Sequence, residues 1–167
     1  MIHVVLYEPE IPQNTGNIMR TCVAIGATLH LIEPLGFKLD EQRIRRSGMD
    51  YIDDLVYEAH SSFDAYLAKY PMPTWMITRY GLKTPYDVTL NSVDDVFVMF
   101  GKESTGIPKS ILKNHLDRCL RLPMVPTARS LNLSNAVAIV LYELLRQQGF
   151  VGLSQREVLK GEDWLLQ

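Results

Sequence analysis

Apolar positions along this chain fall into short clusters of two kinds, and the way the kinds alternate predicts the fold class. His3 to Tyr7, Thr28 to Ile32, Thr74 to Thr78, Val96 to Phe100 and Cys119 to Leu122 are apolar or β-branched runs punctuated by Gly or Pro, and they read as strands. Helical patterns lie between them. Asn17 to Ile25 closes at Gly26, Ser61 to Lys69 opens on two potential caps and stops before Pro71, and Lys109 to Leu116 starts just after Pro108. Ser134 to Gln148 is the longest and is stopped by Gly149. This alternation predicts an α/β fold with a mainly parallel sheet and flanking helices. No internal repeat, low-complexity tract or Gly/Ser linker divides residues 1–167, which read as a single domain.

The last helix departs from the usual pattern. Ala136 to Tyr142 is apolar on every side, whereas a helix resting on one core needs only a stripe, so the second side calls for deep burial or a partner subunit. Just before it, Arg129-Ser130-Leu131-Asn132-Leu133-Ser134-Asn135 offers more potential caps than one helix start can use. A helix start also presents unpaired N–H groups, so this stretch predicts a polar site. The segment from Gly152 reads as peripheral, with Trp164, Leu165 and Leu166 apolar enough to dock on the body.

Composition narrows the class. A chain of 167 residues with 47% hydrophobic content can bury one good core. Cys22 and Cys119 lie far apart without C-x-x-C spacing, which suggests free thiols in a cytoplasmic protein rather than a disulfide framework or zinc ribbon. The start lacks the pattern of a signal peptide, and no run approaches membrane-spanning length. His3, His30, His60 and His115 show no metal-ligand spacing, and Asp53-Asp54 and Asp94-Asp95 read as surface acids, so no metal is expected. Net charge is −2, which makes the chain as a whole no magnet for nucleic acid. The densest basic cluster, Lys38, Arg43, Arg45 and Arg46, is either a solvated helix face or a phosphate-contacting patch.

Three segments carry candidate chemistry. Asn14-Thr15-Gly16-Asn17-Ile18-Met19-Arg20 follows the first strand, where open α/β sheets bind ligands; Arg20 could hold a phosphate there, or Asn14 could merely cap a helix with Arg20 in solvent. Phe100-Gly101-Lys102-Glu103-Ser104-Thr105-Gly106-Ile107-Pro108 looks like a ligand-cradling turn, but it is neither a Walker loop nor a nucleophile elbow. Leu120-Arg121-Leu122-Pro123-Met124-Val125-Pro126 offers an apolar wall suited to a flat ring, and backbone groups that could read its edge.

Taken in order, these motifs resemble the SPOUT superfamily of RNA methyltransferases, and within its TrmH-like members the small TrmL (YibK) branch. The signatures are Asn14-x-Gly16-Asn17-Ile18-x-Arg20, Phe100-Gly101-x-Glu103-x-x-Gly106-Ile107-Pro108 and Arg129-Ser130-Leu131-Asn132-Leu133-Ser134-Asn135-Ala136-Val137. The resemblance runs from residue 3 to about residue 150 and includes Arg45-Arg46-Ser47-Gly48-Met49-Asp50-Tyr51. It implies a deep C-terminal trefoil knot, S-adenosylmethionine as cofactor with S-adenosylhomocysteine as product, and a homodimer with helices packed across the interface.

The implied reaction is methyl transfer to a ribose 2′-hydroxyl of tRNA at the wobble nucleotide, position 34, either cytidine or 5-carboxymethylaminomethyluridine of leucine tRNAs. A non-catalytic RNA-binding protein of the same fold is the alternative. Cofactor contacts implied by the resemblance are Ile77, Thr78, Gly101, Glu103, Gly106, Ile107, Leu122, Met124, Ser130 and Leu131. Arg20 is the implied catalytic residue, oriented by Ser130 and Asn132 and supported by Asn14; a guanidinium keeps its proton, so it acts as a charge rather than a plain base. RNA contacts are expected from Arg20, Lys38, Arg43, Arg45 and Arg46.

Overall fold

Every run that reads as a strand pairs into one sheet in the computed structural model, which describes residues 1–39, 53–90, 95–161 and 163–166. The strands are β1 (Ile2–Tyr7), β2 (Thr28–Ile32), β3 (Tyr57–His60), β4 (Thr74–Ile77), β5 (Val96–Phe100) and β6 (Cys119–Leu120), in the order β3-β2-β1-β5-β4-β6. All pairings are parallel. The central pair shows why the apolar runs are unbroken: β5 is buried at all five positions and β1 at five of its six, because both faces are covered.

β3 is absent from the sequence-based expectation. Its Tyr57-Glu58-Ala59-His60 pairs only with β2, and an edge strand of this kind needs little apolar character. β6 ends earlier than expected, at Leu120, because the Arg121 N–H leaves the ladder and donates to the Lys83 carbonyl at 2.8 Å.

Among the described residues the α-helices are α1 (Pro12–Ile25), α2 (Phe63–Lys69), α3 (Lys109–Leu112) and α4 (Leu133–Gln147). α1 starts well before Asn17: Pro12 occupies the first turn, where its missing N–H costs nothing, and Ile11 makes no side-chain cap. Asn14 is therefore inside the helix and does not cap it. Gly26, at φ 66°, closes α1 in the left-handed conformation that Gly adopts without a Cβ penalty. α3 is a single turn rather than a helix to Leu116, and a 3-10 turn at Leu116–Arg118 leads into β6.

α1 and α4 pack against each other on one face of the sheet, where Ile18, Met19 and Cys22 meet Val137, Val140, Leu141 and Leu144 in the larger core. The opposite face carries α2 and α3, with Tyr66, Phe97, Met99 and Leu112 in a second core. Deep burial does not account for the apolar sides of α4, since Ile139 is 40% and Tyr142 52% exposed. Among the described residues, no helix is long and apolar enough to cross a membrane.

The order of strands creates the site. From β1 the chain winds outward through β2 and β3, then crosses to β4 and returns inward through β5, so the connections leave β1 and β5 in opposite directions. Between such strands their carboxyl-end loops part and leave a crevice.

Candidate active site

Carboxylates tie the two loops of that crevice together. Glu103, in the loop after β5, accepts from the Glu10 N–H at 2.8 Å, the Ile11 N–H at 3.3 Å and Asn14 Nδ2 at 3.0 Å. Glu10 returns the contact, accepting from the Ser104 N–H and Oγ, each at 2.9 Å; these bonds hold its carboxyl below the usual carboxylate range. Lys102 Nζ donates to Glu8 at 2.7 Å, which raises the lysine pKa. Six bonds thus join stretches more than 85 residues apart.

The same network reaches the start of α4. Asn14, 5% exposed, accepts at its Oδ1 from Asn132 Nδ2 at 2.9 Å. Asn132 Oδ1 then caps α4, accepting from the Ser134 N–H at 3.0 Å, the Asn135 N–H at 3.4 Å and the Ser134 hydroxyl at 2.7 Å. Of the potential caps in Arg129 to Asn135, Asn132 takes the role. Glu103, Asn14 and Asn132 thus form one line of hydrogen bonds along the edge of the crevice.

A cleft of about 770 Å³ opens beside this line. Ile77 and Thr78 reach it from the end of β4, Gly101 to Ile107 from the loop after β5, Leu122 and Met124 from beyond β6, and Ser130 to Leu133 from the approach to α4. Every expected cofactor contact therefore lines a single cavity, together with Asn14, Ser130 and Asn132. Gly101 is required at its position: a Cβ there would lie 2.2 Å from the Gly106 carbonyl carbon and the Ile107 nitrogen. Gly106 itself, at φ 74°, turns the loop back so that its N–H donates to the Lys102 carbonyl at 2.8 Å.

Other expected positions fall elsewhere. Arg20 is exposed on α1 and does not line the cleft. Lys38 is exposed on the loop after β2, which the Gly36 N–H ties to the Pro9 carbonyl at 2.9 Å. Arg43, Arg45 and Arg46 lie outside the described residues. The cleft's cations, Arg79, Lys102, Arg121 and Arg129, and its exposed aromatic residue Tyr80 form no dense run and so gave no sequence signal as a group.

A second polar assembly escaped the sequence reading. Parallel pairing brings His3, His30 and His60 into a row across β1, β2 and β3, with His3 Nδ1 2.9 Å from His30 Nε2 and His30 Nδ1 3.1 Å from His60 Nε2. His30, Glu58 and His60 hold ligand atoms within 4.8 Å of one another, a grouping their sequence spacing conceals. The 3.1 Å separation of the two ring nitrogens is that of an N–H···N hydrogen bond, which assigns a proton to the gap.

Similarity to known proteins agrees with the cleft. Residues 1–142 match the model of the SpoU rRNA Methylase family. The tRNA (cytidine(34)-2'-O)-methyltransferase of Escherichia coli K12 is 45% identical over 159 residues, covering 94% of this chain and 100% of that protein. A solved chain from Bacillus anthracis superposes with TM-score 0.89 at 42% identity, covering 95% of this chain and 100% of that one. Another, from a structural study of 2-OH methylation of C/U34 on tRNA, gives 0.80 at 39% identity over 90% of this chain and 97% of the other. The cleft is thus built on a scaffold these proteins share, and the chain belongs to the SpoU rRNA Methylase family.

Proposed function

We propose that this chain is an S-adenosylmethionine-dependent tRNA ribose 2′-O-methyltransferase acting at the wobble nucleotide, on cytidine 34 and on 5-carboxymethylaminomethyluridine 34 of leucine tRNAs. The observation that carries the reading is the convergence of Gly101, Leu122 and Ser130, from three distant stretches, on one cleft. The relatives named above supply the tRNA nucleotide and the ribose oxygen.

The lining fits S-adenosylmethionine. Ile77, Leu122 and Met124 give apolar cover for a flat base, and Gly101 keeps open a space that a Cβ would fill. Gly106, Ile107, Ser130 and Leu131 complete the holding set, with Glu103 bracing the loop through its bonds to Glu10 and Ile11. The cofactor, when bound, supplies an electrophilic methyl group on a sulfonium. The residues of the chain then align the ribose oxygen and manage its proton. Arg20, exposed on α1 outside the cleft lining, binds the phosphate beside the target ribose and stabilises the forming alkoxide, with that phosphate or a water taking the hydroxyl proton, while Ser130 and Asn132 set the approach of the ribose and Asn14 holds Asn132 in place. No metal enters this mechanism.

The rest of the reading follows from the chain's organisation. Residues 1–167 act as a single domain in a cytoplasmic homodimer, supported by the uncovered Ile139 and Tyr142 on α4. Lys38, with Arg43, Arg45 and Arg46, contacts tRNA backbone. A C-terminal trefoil knot is supported by contacts of the segment 78–90 with the chain after β6 and with α4: Lys83 accepts from the Arg121 N–H, and Gln147 Nε2 donates to the Pro85 and Val88 carbonyls at 3.1 and 3.2 Å.

The test is incubation of the purified chain with S-adenosylmethionine and bulk tRNA, followed by nuclease digestion and mass mapping. A ribose methyl at nucleotide 34, lost with Arg20→Ala while the melting temperature holds, is the expected result. No methyl on any tRNA, with RNA still bound, would instead establish the non-catalytic alternative.

A further inference from the structure

The cleft is positive although the chain is not. Among the described residues its charged lining is Arg79, Lys102, Arg121 and Arg129 against Glu103 alone, whereas the whole sequence carries a net charge of −2. Lys102 is engaged by Glu8, and the Glu103 carboxylate by Glu10, Ile11 and Asn14. Three guanidinium groups therefore set the field along the rim. Arg121 sits close to Arg79, donating from Nη1 to its carbonyl at 3.0 Å.

Tyr80 shares that lining and is 70% exposed. Its exposure does not come from a loose backbone. On one side the Thr78 N–H donates to the Leu120 carbonyl at 2.9 Å, and on the other the Arg121 N–H donates to Lys83 at 2.8 Å. Gly81, between them, runs so close to β6 that a Cβ would stand 2.5 Å from the Leu120 carbonyl carbon. Asp87 then fastens Thr84 through both its N–H and its hydroxyl. A pinned backbone thus holds an aromatic ring out into solvent at a cleft, with the Arg79 guanidinium carbon 5.8 Å from the ring centroid.

A rigid exposed ring stacks on a nucleobase at little entropic cost, and guanidinium groups beside it meet phosphate oxygens in bidentate fashion. A polyanionic single strand fits both features. We propose that Tyr80 is a stacking platform for a base of the RNA strand adjoining the target nucleotide, with Arg79 and Arg121 holding the flanking phosphate. The inference rests on reading the cleft as an RNA methyltransferase site. It assigns strand recognition to the segment between β4 and β5, where the sequence analysis placed only cofactor contacts.

The competing use of the ring is cover for the cofactor, and the experiment separates the two. The full chain and its Tyr80→Ala, Tyr80→Phe, Arg79→Ala and Arg121→Ala variants are titrated with a fluorescein-labelled anticodon stem-loop RNA at several salt concentrations. S-adenosylmethionine affinity is measured by calorimetry and melting temperature alongside. Tyr80→Ala weakens RNA binding roughly five- to hundredfold while Tyr80→Phe retains it, with cofactor affinity and melting unchanged. Each arginine variant lowers the salt dependence by about one phosphate contact. Unchanged RNA affinity in Tyr80→Ala overturns the proposal, as does a loss of cofactor affinity equal to the loss of RNA affinity. Because RNA binding is read directly, a wild-type chain that binds RNA through Tyr80 yet transfers no methyl would refute the proposed activity and leave the platform standing.

Discussion

Two lines of polar side chains stand out among the described residues, one at the carboxyl ends of the central strands and one in a row across the face that carries α2. In the first, Glu103, Asn14 and Asn132 bond in line across three separate stretches and border a cleft of about 770 Å³. In the second, His3, His30 and His60 bond in line across three adjacent strands and are closed in by Tyr66, Tyr70 and Phe97. Both are hydrogen-bonded chains of partly or wholly buried groups. They differ in what they border: the line at the strand ends faces a volume a ligand can enter, whereas among the described residues the imidazole row ends at Asp95, 3.6 Å from His3 Nε2, and at Glu58, 3.9 Å from His60 Nδ1. Buried polarity becomes a candidate for chemistry when it borders accessible space.

The strongest way to break the comparison is to close that space. Gly101→Ala puts a methyl group against the backbone of Gly106 and Ile107, which cannot yield as a flexible side chain would. Calorimetry should show S-adenosylmethionine affinity falling at least about a hundredfold, since the loop must move to relieve the clash and lies at the centre of the site. The histidine row, on the far side of the sheet, should be undisturbed. Retained affinity in Gly101→Ala would show that the cleft is not the cofactor site.

How much of this could be read from the chain depends on the range of the interactions concerned. β1 and β5 were legible because burial on both faces leaves a nearly unbroken apolar run, and β2 and β4 because most of their residues are apolar or β-branched. β3 was not, because Glu58 and His60 earn their place through contacts with Lys69, Tyr70 and His30 rather than through apolarity. The start of α1 was missed because polar Gln13, Asn14 and Asn17 look like a loop until Pro12 fixes the first turn. Within the site, Gly101, Glu103, Ser130 and Asn132 stand in local motifs and were legible. Tyr80 does not, for it reaches the cleft only because segment 78–90 is fastened to β6, and Arg121 stands in a candidate segment whose apolar wall gave its charge no role.

A smaller effect is expected from cutting the line at its middle. Asn14→Ala removes both the donor to Glu103 and the acceptor for Asn132, at a position 5% exposed, and should cost about 1–3 kcal/mol of stability. The α4 cap survives, because Asn132 Oδ1 keeps its bonds to Ser134 and Asn135. The turnover number should therefore fall more than cofactor affinity does, as the Asn132 amide loses its orientation. Equal losses in both would mean that Asn14 supports the loop and not the approach of the ribose.

The histidine row offers the gentlest probe, through pH. Two N···N contacts each hold one proton, so a neutral row of three imidazoles has a single proton left for one end, and His3 Nε2 has no hydrogen-bond partner among the described residues. Burial lowers the pKa of all three rings, and that of His30 to about 4, with the neighbouring imidazoles adding to the effect. Asp95 and Glu58 pull the other way at the two ends, while the Met1 ammonium and Lys69 oppose them. The net direction is down, so the folded chain resists protons that the unfolded chain accepts. Stability from the row is complete above pH 6.5 and drains away as pH falls from there towards about 4. Carboxylates such as Glu10, Glu58 and Asp95, held below their ordinary values, take up protons only further down, which leaves the interval between pH 6.5 and 5 to the imidazoles. Thermal melts across that interval should show a fall of roughly 5 °C, and His30→Asn should flatten it. A slope that persists unchanged in His30→Asn would move the proton uptake away from the row and remove the physical distinction drawn between it and the cleft.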